Sequence, residues 1–330
     1  MTEATPALRT LFVGGPGRSG TTVVAQRLCE LPQTVAFEGV ELKFFTEKNG
    51  LLDLWHSLGE HYSPNRAVVA MRQFRQFTRQ LIDGQFSQMG LSKLASAAEW
   101  HALFDNFTSE LSRNEHPEPI AAAKFDTASR GLISGLHRMA MARPGASVEP
   151  SFFVDNTPHT VLDAAFVTRV LPDAAFLHVM RDPRSIAQSL RSMSWGPDTL
   201  EQCCTWVASY CQAWANCQAE HFAASVDIRA IHIEDLAADP HNAGKMIEDW
   251  LELPNAGHYF AFTDPSALNG WVARAARKDL ELLNNHLAGW VDFFGYDADT
   301  IGVRPNGPSG AQDPGVIERR SSVKQVAAVT

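Results

Sequence analysis

The stretch TLFVGGPGRSGTT at residues 10–22 constrains this chain more than any other, because an apolar strand runs straight into a glycine-rich turn that ends in two hydroxyls. Gly15, Gly17 and Gly20 permit backbone angles closed to other residues, so successive N–H groups can converge on an anion at the positive end of the following helix. Thr21 and Thr22 add hydroxyl donors to that cradle. The spacing from Gly15 to Gly20 is that of a Walker A loop, but such a loop continues with a lysine for the β- and γ-phosphates, and position 21 is threonine. The nearest cation, Arg18, lies inside the loop, which suits a ligand with fewer contiguous phosphates than a nucleoside triphosphate.

With 330 residues and 45% hydrophobic content, the chain can bury an ordinary core near the upper size of one α/β domain. A net charge of -9 argues against nucleic-acid binding, which needs a basic surface, so any anion site is local. Five cysteines, four of them crowded at Cys203, Cys204, Cys211 and Cys217, form neither a disulfide framework nor a metal-binding pattern, and read as reduced core residues. The first residues lack a basic stretch followed by an apolar one, and nowhere do about 18 uncharged apolar residues run together. A cytoplasmic protein without a membrane span is expected; the oligomeric state is not legible.

Short apolar runs at 11–13, 152–155, 176–180 and 228–233, separated by helical patterns, predict a doubly wound parallel sheet flanked by helices. Right-handed crossovers bring the carboxyl ends of such strands to one edge, where α/β folds bind ligands. Between 51 and 150 strand signals are scarce, and the apolar spacing over 68–82 predicts a helix within a helical insert. Arg72, Arg75 and Arg79 share one face of that helix, which can meet an acidic acceptor, but a solvated face accounts for them more simply and no site is assigned there. From 200 to 222, Cys203, Val207, Tyr210, Trp214 and Cys217 recur at three and four residues as a buried stripe. The domain is expected over 9–301, between an N-terminal tail at 1–8 and a flexible tail rich in Gly, Pro and polar residues at 302–330.

A second motif follows the run at 176–180: RDPRSIAQS at 181–189, where Asp182 can cap and Pro183 can begin a helix running through Arg191. Arg181 sits at the strand's exit. Ser189 is eight residues on, about 12 Å along a straight helix, so both meet one ligand only if the Arg181 side chain reaches along it.

Together, GPGRSGTT at 15–22 and RDPRSIAQS at 181–189 resemble the sulfotransferases that use 3′-phosphoadenosine 5′-phosphosulfate (PAPS). Weaker similarity lies in DNTP at 155–158, in IEDL at 233–236 followed by Asp239 and Pro240, and in Trp271 through Gly295 and Tyr296. The likeness spans most of residues 10–296. It implies a P-loop-containing α/β fold and transfer of the sulfuryl group to a hydroxyl of a small molecule or glycan, leaving 3′-phosphoadenosine 5′-phosphate (PAP). It implies that the loop residues Gly17, Arg18, Ser19, Gly20, Thr21 and Thr22 hold the 5′-phosphosulfate, and that Arg181 and Ser189 hold the 3′-phosphate. Asn156 stands where many glycan-modifying members carry lysine, a role Lys43 or Lys124 can fill. The family's basic C-terminal contact falls on Arg274, Arg277 or Lys278.

Sulfuryl transfer needs a base at the acceptor hydroxyl, in-line approach to sulfur, and positive charge on the departing oxygen. Arg18 and the loop N–H groups meet the last need without a metal, and no Asp/Glu/His cluster suggests one. For the base, ELKFF at 41–45 is similar to the stretch carrying the catalytic glutamate of glycan sulfotransferases, which favours Glu41. Glu38 resembles the position used by the tyrosine-sulfating group, and His159 ranks third. The competing reading is a P-loop kinase-like phosphotransferase, which requires a lysine at position 21 and an acidic magnesium ligand such as Asp155.

Overall fold

A computed structural model describes residues 8–37, 39–84, 90–112, 118–143, 150–254, 260 and 266–305. Glu38 lies outside them, as do residues 1–7 of the expected N-terminal tail and 306–330 of the C-terminal one. The chain forms one five-stranded parallel sheet in the order β2-β3-β1-β4-β5. These strands are β1 (Arg9–Gly14), β2 (Thr34–Ala36), β3 (Phe152–Asp155), β4 (Ala175–Met180) and β5 (Asp227–His232). Starting from the middle strand, the chain winds first to one side and then to the other, the doubly wound α/β pattern whose reversal point borders β1. The predicted strand at 228–233 stops at His232 because Ile233 already begins a helix. Strand β2, only three residues long, carries no readable alternation.

Two compact units divide the chain. The first holds residues 1–12 and 32–175, the second 13–31 and 176–330.

In the first unit β3 pairs in parallel with β1, Arg9 opposite Phe152 through Phe12 opposite Asp155, and with β2, Thr34 opposite Phe152 through Ala36 opposite Val154. Helices α2 (Leu51–Trp55), α3 (Pro64–Asp83), α4 (Ala97–Ser112), α5 (Ala122–Met141) and α6 (Ala164–Val170) follow. The bounds of α3 are written in its sequence. Ser63 caps the Arg66 N–H, Pro64 supplies a preset φ, and Gly84 ends the helix in the left-handed region at φ 81°. Its buried Phe74 meets Phe104 and Phe107 of α4, and Phe107 meets Phe125 of α5. This aromatic seam makes helices of modest length hold together.

In the second unit β4 is buried at every position. Helices α1 (Thr21–Cys29), α7 (Pro183–Leu190), α8 (Leu200–Ala223), α9 (Ile233–Ala238), α10 (Pro240–Leu251) and α11 (Arg277–Phe293) belong to it. A capping box of Thr199 and Gln202 starts α8. Its stripe of Cys203, Val207, Tyr210 and Trp214 is buried, with Cys217 half-buried, and all five cysteines are free thiols. Trp214 stacks on His178 of β4 at 3.6 Å between ring centroids, and the Tyr210 hydroxyl lies 3.2 Å from His178 Nε2.

Candidate active site

The glycine-rich loop belongs to the second unit, between the end of β1 and α1. Gly15 has φ 156°, and a Cβ there would stand 2.2 Å from the Val179 carbonyl oxygen of β4, so only glycine lets the loop pass so close to the sheet. Arg18 adopts the left-handed φ of 74°, a conformation that costs a non-glycine residue energy and marks built sites more often than plain turns. Gly20, at φ 104°, begins α1 without any side-chain cap, and no acidic residue occupies the first turn. The opening N–H groups of α1 are therefore left for a ligand. The Ser19 hydroxyl is fully buried and has no partner. An orphaned buried donor at an uncapped helix start fits an anion that supplies the missing acceptor. Thr21 is buried and Thr22 exposed.

The second motif converges on this loop. Asp182 caps α7 through the Arg184 N–H, and Pro183 opens the helix, as its sequence predicts; α7 ends at Leu190, one residue short of the expected Arg191. The arginine that reaches along the helix to Ser189 is Arg18, whose Nε donates to the Ser189 hydroxyl at 3.1 Å. Arg181 donates to the Arg18 carbonyl at 3.4 Å and to the Leu268 carbonyl, while its Nε is buried without a partner. Burial pulls the Arg181 guanidinium below the usual arginine range, and Arg18 adds to this; Glu234, Tyr296 and Asp182 work in the opposite direction. Loop, Arg181 and Ser189 thus form one cationic patch with two unsatisfied donors, Ser19 Oγ and Arg181 Nε.

A buried polar frame holds that patch. Asp182, fully buried, accepts from Arg184 Nε at 3.0 Å, Arg184 Nη2 at 2.8 Å and the Gly302 N–H at 2.7 Å. Arg184 also donates to Asn284 Oδ1 and to the carbonyls of Ala298 and Asp297, so each of its N–H groups has an acceptor. The Asp182 N–H donates to Glu234 Oε1 at 3.0 Å, and Tyr296 donates to Glu234 Oε2 at 2.8 Å. His232 Nδ1 lies 2.8 Å from that tyrosine oxygen and, with the tyrosine proton on Glu234, acts as donor. Burial pushes the Glu234 carboxyl up to about 7 against the pull of these hydrogen bonds. The weak similarity at IEDL and Gly295-Tyr296 marked these residues, but not their joint task of fixing the Arg181–Asp182 turn.

The candidate bases lie in the first unit. Glu41 pairs with Lys43 Nζ at 3.3 Å. Lys43, left-handed at φ 61°, donates its N–H to the Thr157 hydroxyl at 3.1 Å. Thr157 donates its own N–H and hydroxyl to Asp155 at 3.0 and 2.9 Å. Burial pushes the Asp155 carboxyl up to about 6, opposed by the Thr157 and Leu42 hydrogen bonds, with Glu41 adding to the rise. His159 stands 3.9 Å from Glu47, half-exposed. Lys124 begins α5. Of the C-terminal candidates, Arg277 pairs with Glu281 at 2.8 Å, and Arg274 and Lys278 are exposed.

Among the described residues no helix is long and apolar enough to cross a membrane, and no group of three or more His, Cys, Asp or Glu side chains is arranged to hold a metal ion.

Residues 10–256 match the Sulfotransferase family, and the chain belongs to that family. No curated protein matches it. Similar solved structures include the sulfotransferase domain from the Synechococcus PCC 7002 olefin synthase, 15% identical over 90% of this chain and 98% of that one, with a TM-score of 0.45. Sulfotransferase STF9 from Mycobacterium avium is 15% identical over 88% of this chain and 78% of that one, with a TM-score of 0.43.

Proposed function

We propose that this sulfotransferase takes its sulfuryl group from PAPS and delivers it to a hydroxyl of a small molecule or glycan. The observation that carries the reading is the bond from Arg18 to Ser189, which draws the two anion motifs into one patch. The loop from Gly17 to Thr22 is assigned to the 5′-phosphosulfate, and Arg181 with Ser189 to the 3′-phosphate. The buried, unpartnered Ser19 hydroxyl and Arg181 Nε support that division, because each gains an acceptor from a bound phosphate.

PAPS supplies an activated sulfuryl group on a phosphate leaving group. The chain's part is positional and electrostatic. Glu41 is the proposed base, on the strength of its segment ELKFF; it takes the acceptor's proton as the hydroxyl oxygen bonds to sulfur. Arg18 and the loop N–H groups stabilise the charge on the oxygen that departs with PAP. Lys43 pairs with Glu41 at 3.3 Å and so helps to fix where that carboxylate sits.

Thermal melts with PAP, and separately with ATP and magnesium, test the donor. PAP should raise the melting temperature with a concentration dependence that ATP and magnesium do not reproduce. Stabilisation by ATP with magnesium alone would assign the site to a phosphotransferase. Transfer of labelled sulfate from PAPS to members of a panel of hydroxyl compounds then tests turnover.

A further inference from the structure

The first unit contains a cleft of about 1370 Å³ along α3, and neither the loop residues 17–22 nor Arg181 nor Ser189 lines it. Its lining is segregated. At the amino end of α3 the walls are apolar: Leu58, Tyr62, Val68, Met71, Leu111 and Ile120. The Ile120 N–H donates to the Leu58 carbonyl at 2.8 Å, which ties the start of the opposite wall to this end. Val68 is 61% exposed there, a large apolar side chain left in water. Further along α3 the lining turns cationic, with Arg72, Arg75 and Arg79 facing the same cleft.

These arginines stand at i, i+3 and i+7, so each repels its neighbour along the helix. None forms an ion pair with a described residue, although exposed arginines elsewhere on the chain do so, as Arg191 does with Asp279 and Arg277 with Glu281. Arg75 is braced by the bond from its Nε to the Thr108 hydroxyl at 3.3 Å, which leaves its two terminal nitrogens for another partner. The lining carries four cationic side chains, Lys124 being the fourth, against the two carboxylates of Asp83 and Glu118. In a chain of net charge -9 this is a local reversal of sign.

We propose that this cleft binds a single dissolved anionic amphiphile, with a phosphate or carboxylate head on Arg72, Arg75 and Arg79 and an aliphatic tail running toward Leu58 and Ile120. The guanidinium forks match a planar or tetrahedral oxyanion, and the tail removes the exposed apolar surface of Val68 and Met71 from water. The apolar lining residues of α3, Pro64, Ala67, Val68 and Met71, span about 10 Å, enough for a medium-length alkyl chain.

Decyl phosphate, decanol and inorganic phosphate are titrated separately into the full chain by calorimetry, below micelle-forming concentration and without nucleotide. Decyl phosphate should bind once per chain, at least about tenfold more tightly than decanol or inorganic phosphate. The double variant R72Q/R79Q should weaken it about tenfold or more, and V68S/M71S should weaken it without restoring affinity for inorganic phosphate. All four positions are exposed or half-buried, and circular dichroism melts establish that both variants fold. No saturable binding, equal binding of decanol, or undiminished binding by R72Q/R79Q overturns the proposal. So does binding only to phosphatidylglycerol vesicles and not to the monomer, which would make the face a membrane contact. Because no nucleotide is present, failure here leaves the reading of the donor site untouched.

Discussion

Arg18 Nε donates to the Ser189 hydroxyl across 171 residues of sequence, at 3.1 Å. The same arginine offers its carbonyl to Arg181 at 3.4 Å. The loop after β1 and the helix after β4 are therefore directly bonded, and if they hold one nucleotide as proposed, a change in either should be felt by the other. R18A is expected to weaken PAP binding by about tenfold to a hundredfold, the worth of a charge-assisted contact, and S189A by less. Titration calorimetry of the two single variants and the double variant should give losses that do not add, because each substitution also removes the Arg18–Ser189 bond. Additive losses would mean that the two motifs act independently.

Glu41→Gln should nearly abolish sulfuryl transfer while leaving PAP affinity within about twofold, since the amide keeps the shape but cannot accept a proton. Rate and affinity are measured on the same preparation. Retained turnover would move the base to Glu38 or His159.

Arg184 is a structural clamp rather than a ligand group, being 1% exposed and saturated by protein acceptors. Its removal leaves the buried Asp182 carboxylate without its cation, so R184A should cost about 3–5 kcal/mol in urea unfolding. R184K should recover only part of this, because lysine lacks the fork that spans both carboxylate oxygens. A loss below about 1 kcal/mol for R184A would contradict the frame described for the Arg181–Asp182 turn.

Glu234 makes stability pH-dependent with a definite sign. Its folded pKa is about 7, against an ordinary value of 4.5, so between those values the folded chain holds a proton that the unfolded chain has released. Its contribution is complete below pH 4.5 and is lost as pH rises toward 7. E234Q should therefore gain stability relative to the parent as pH rises from 5 to 8. His178 acts oppositely: burial and nearby His221 hold it down to about 3 from 6.5, so its contribution is present above pH 6.5 and is lost as pH falls toward 3. H178F should flatten the acid limb. Melting curves from pH 4 to 8 read both effects; parallel curves would refute both assignments.

The fold was legible where the physics is local. Apolar runs located four of the five strands and the middle of α3, read over 68–82, but its start at Pro64 under the Ser63 cap was not read from the apolar spacing. The three-residue β2 carries too few positions for a period to show. In the site, the glycines, Arg18 and the Asp182-Pro183 cap could be read from spacing. The partner of Ser189 could not: helix geometry put Arg181 about 12 Å away along the axis, while the arginine that closes the gap comes from a loop 171 residues earlier. Glu234, Tyr296 and Arg184 were illegible as a group for the same reason, since a buried frame is a property of tertiary contacts between residues far apart in sequence.

The central claim is that the loop at 15–22 and the Arg181–Ser189 segment hold opposite ends of one nucleotide. A crystal structure of the full chain with PAP tests it directly. The account predicts the 5′-phosphate on the N–H groups at the start of α1 beside Ser19, and the 3′-phosphate within hydrogen-bonding distance of Arg181 and Ser189. PAP bound with either segment making no contact to it would contradict the account.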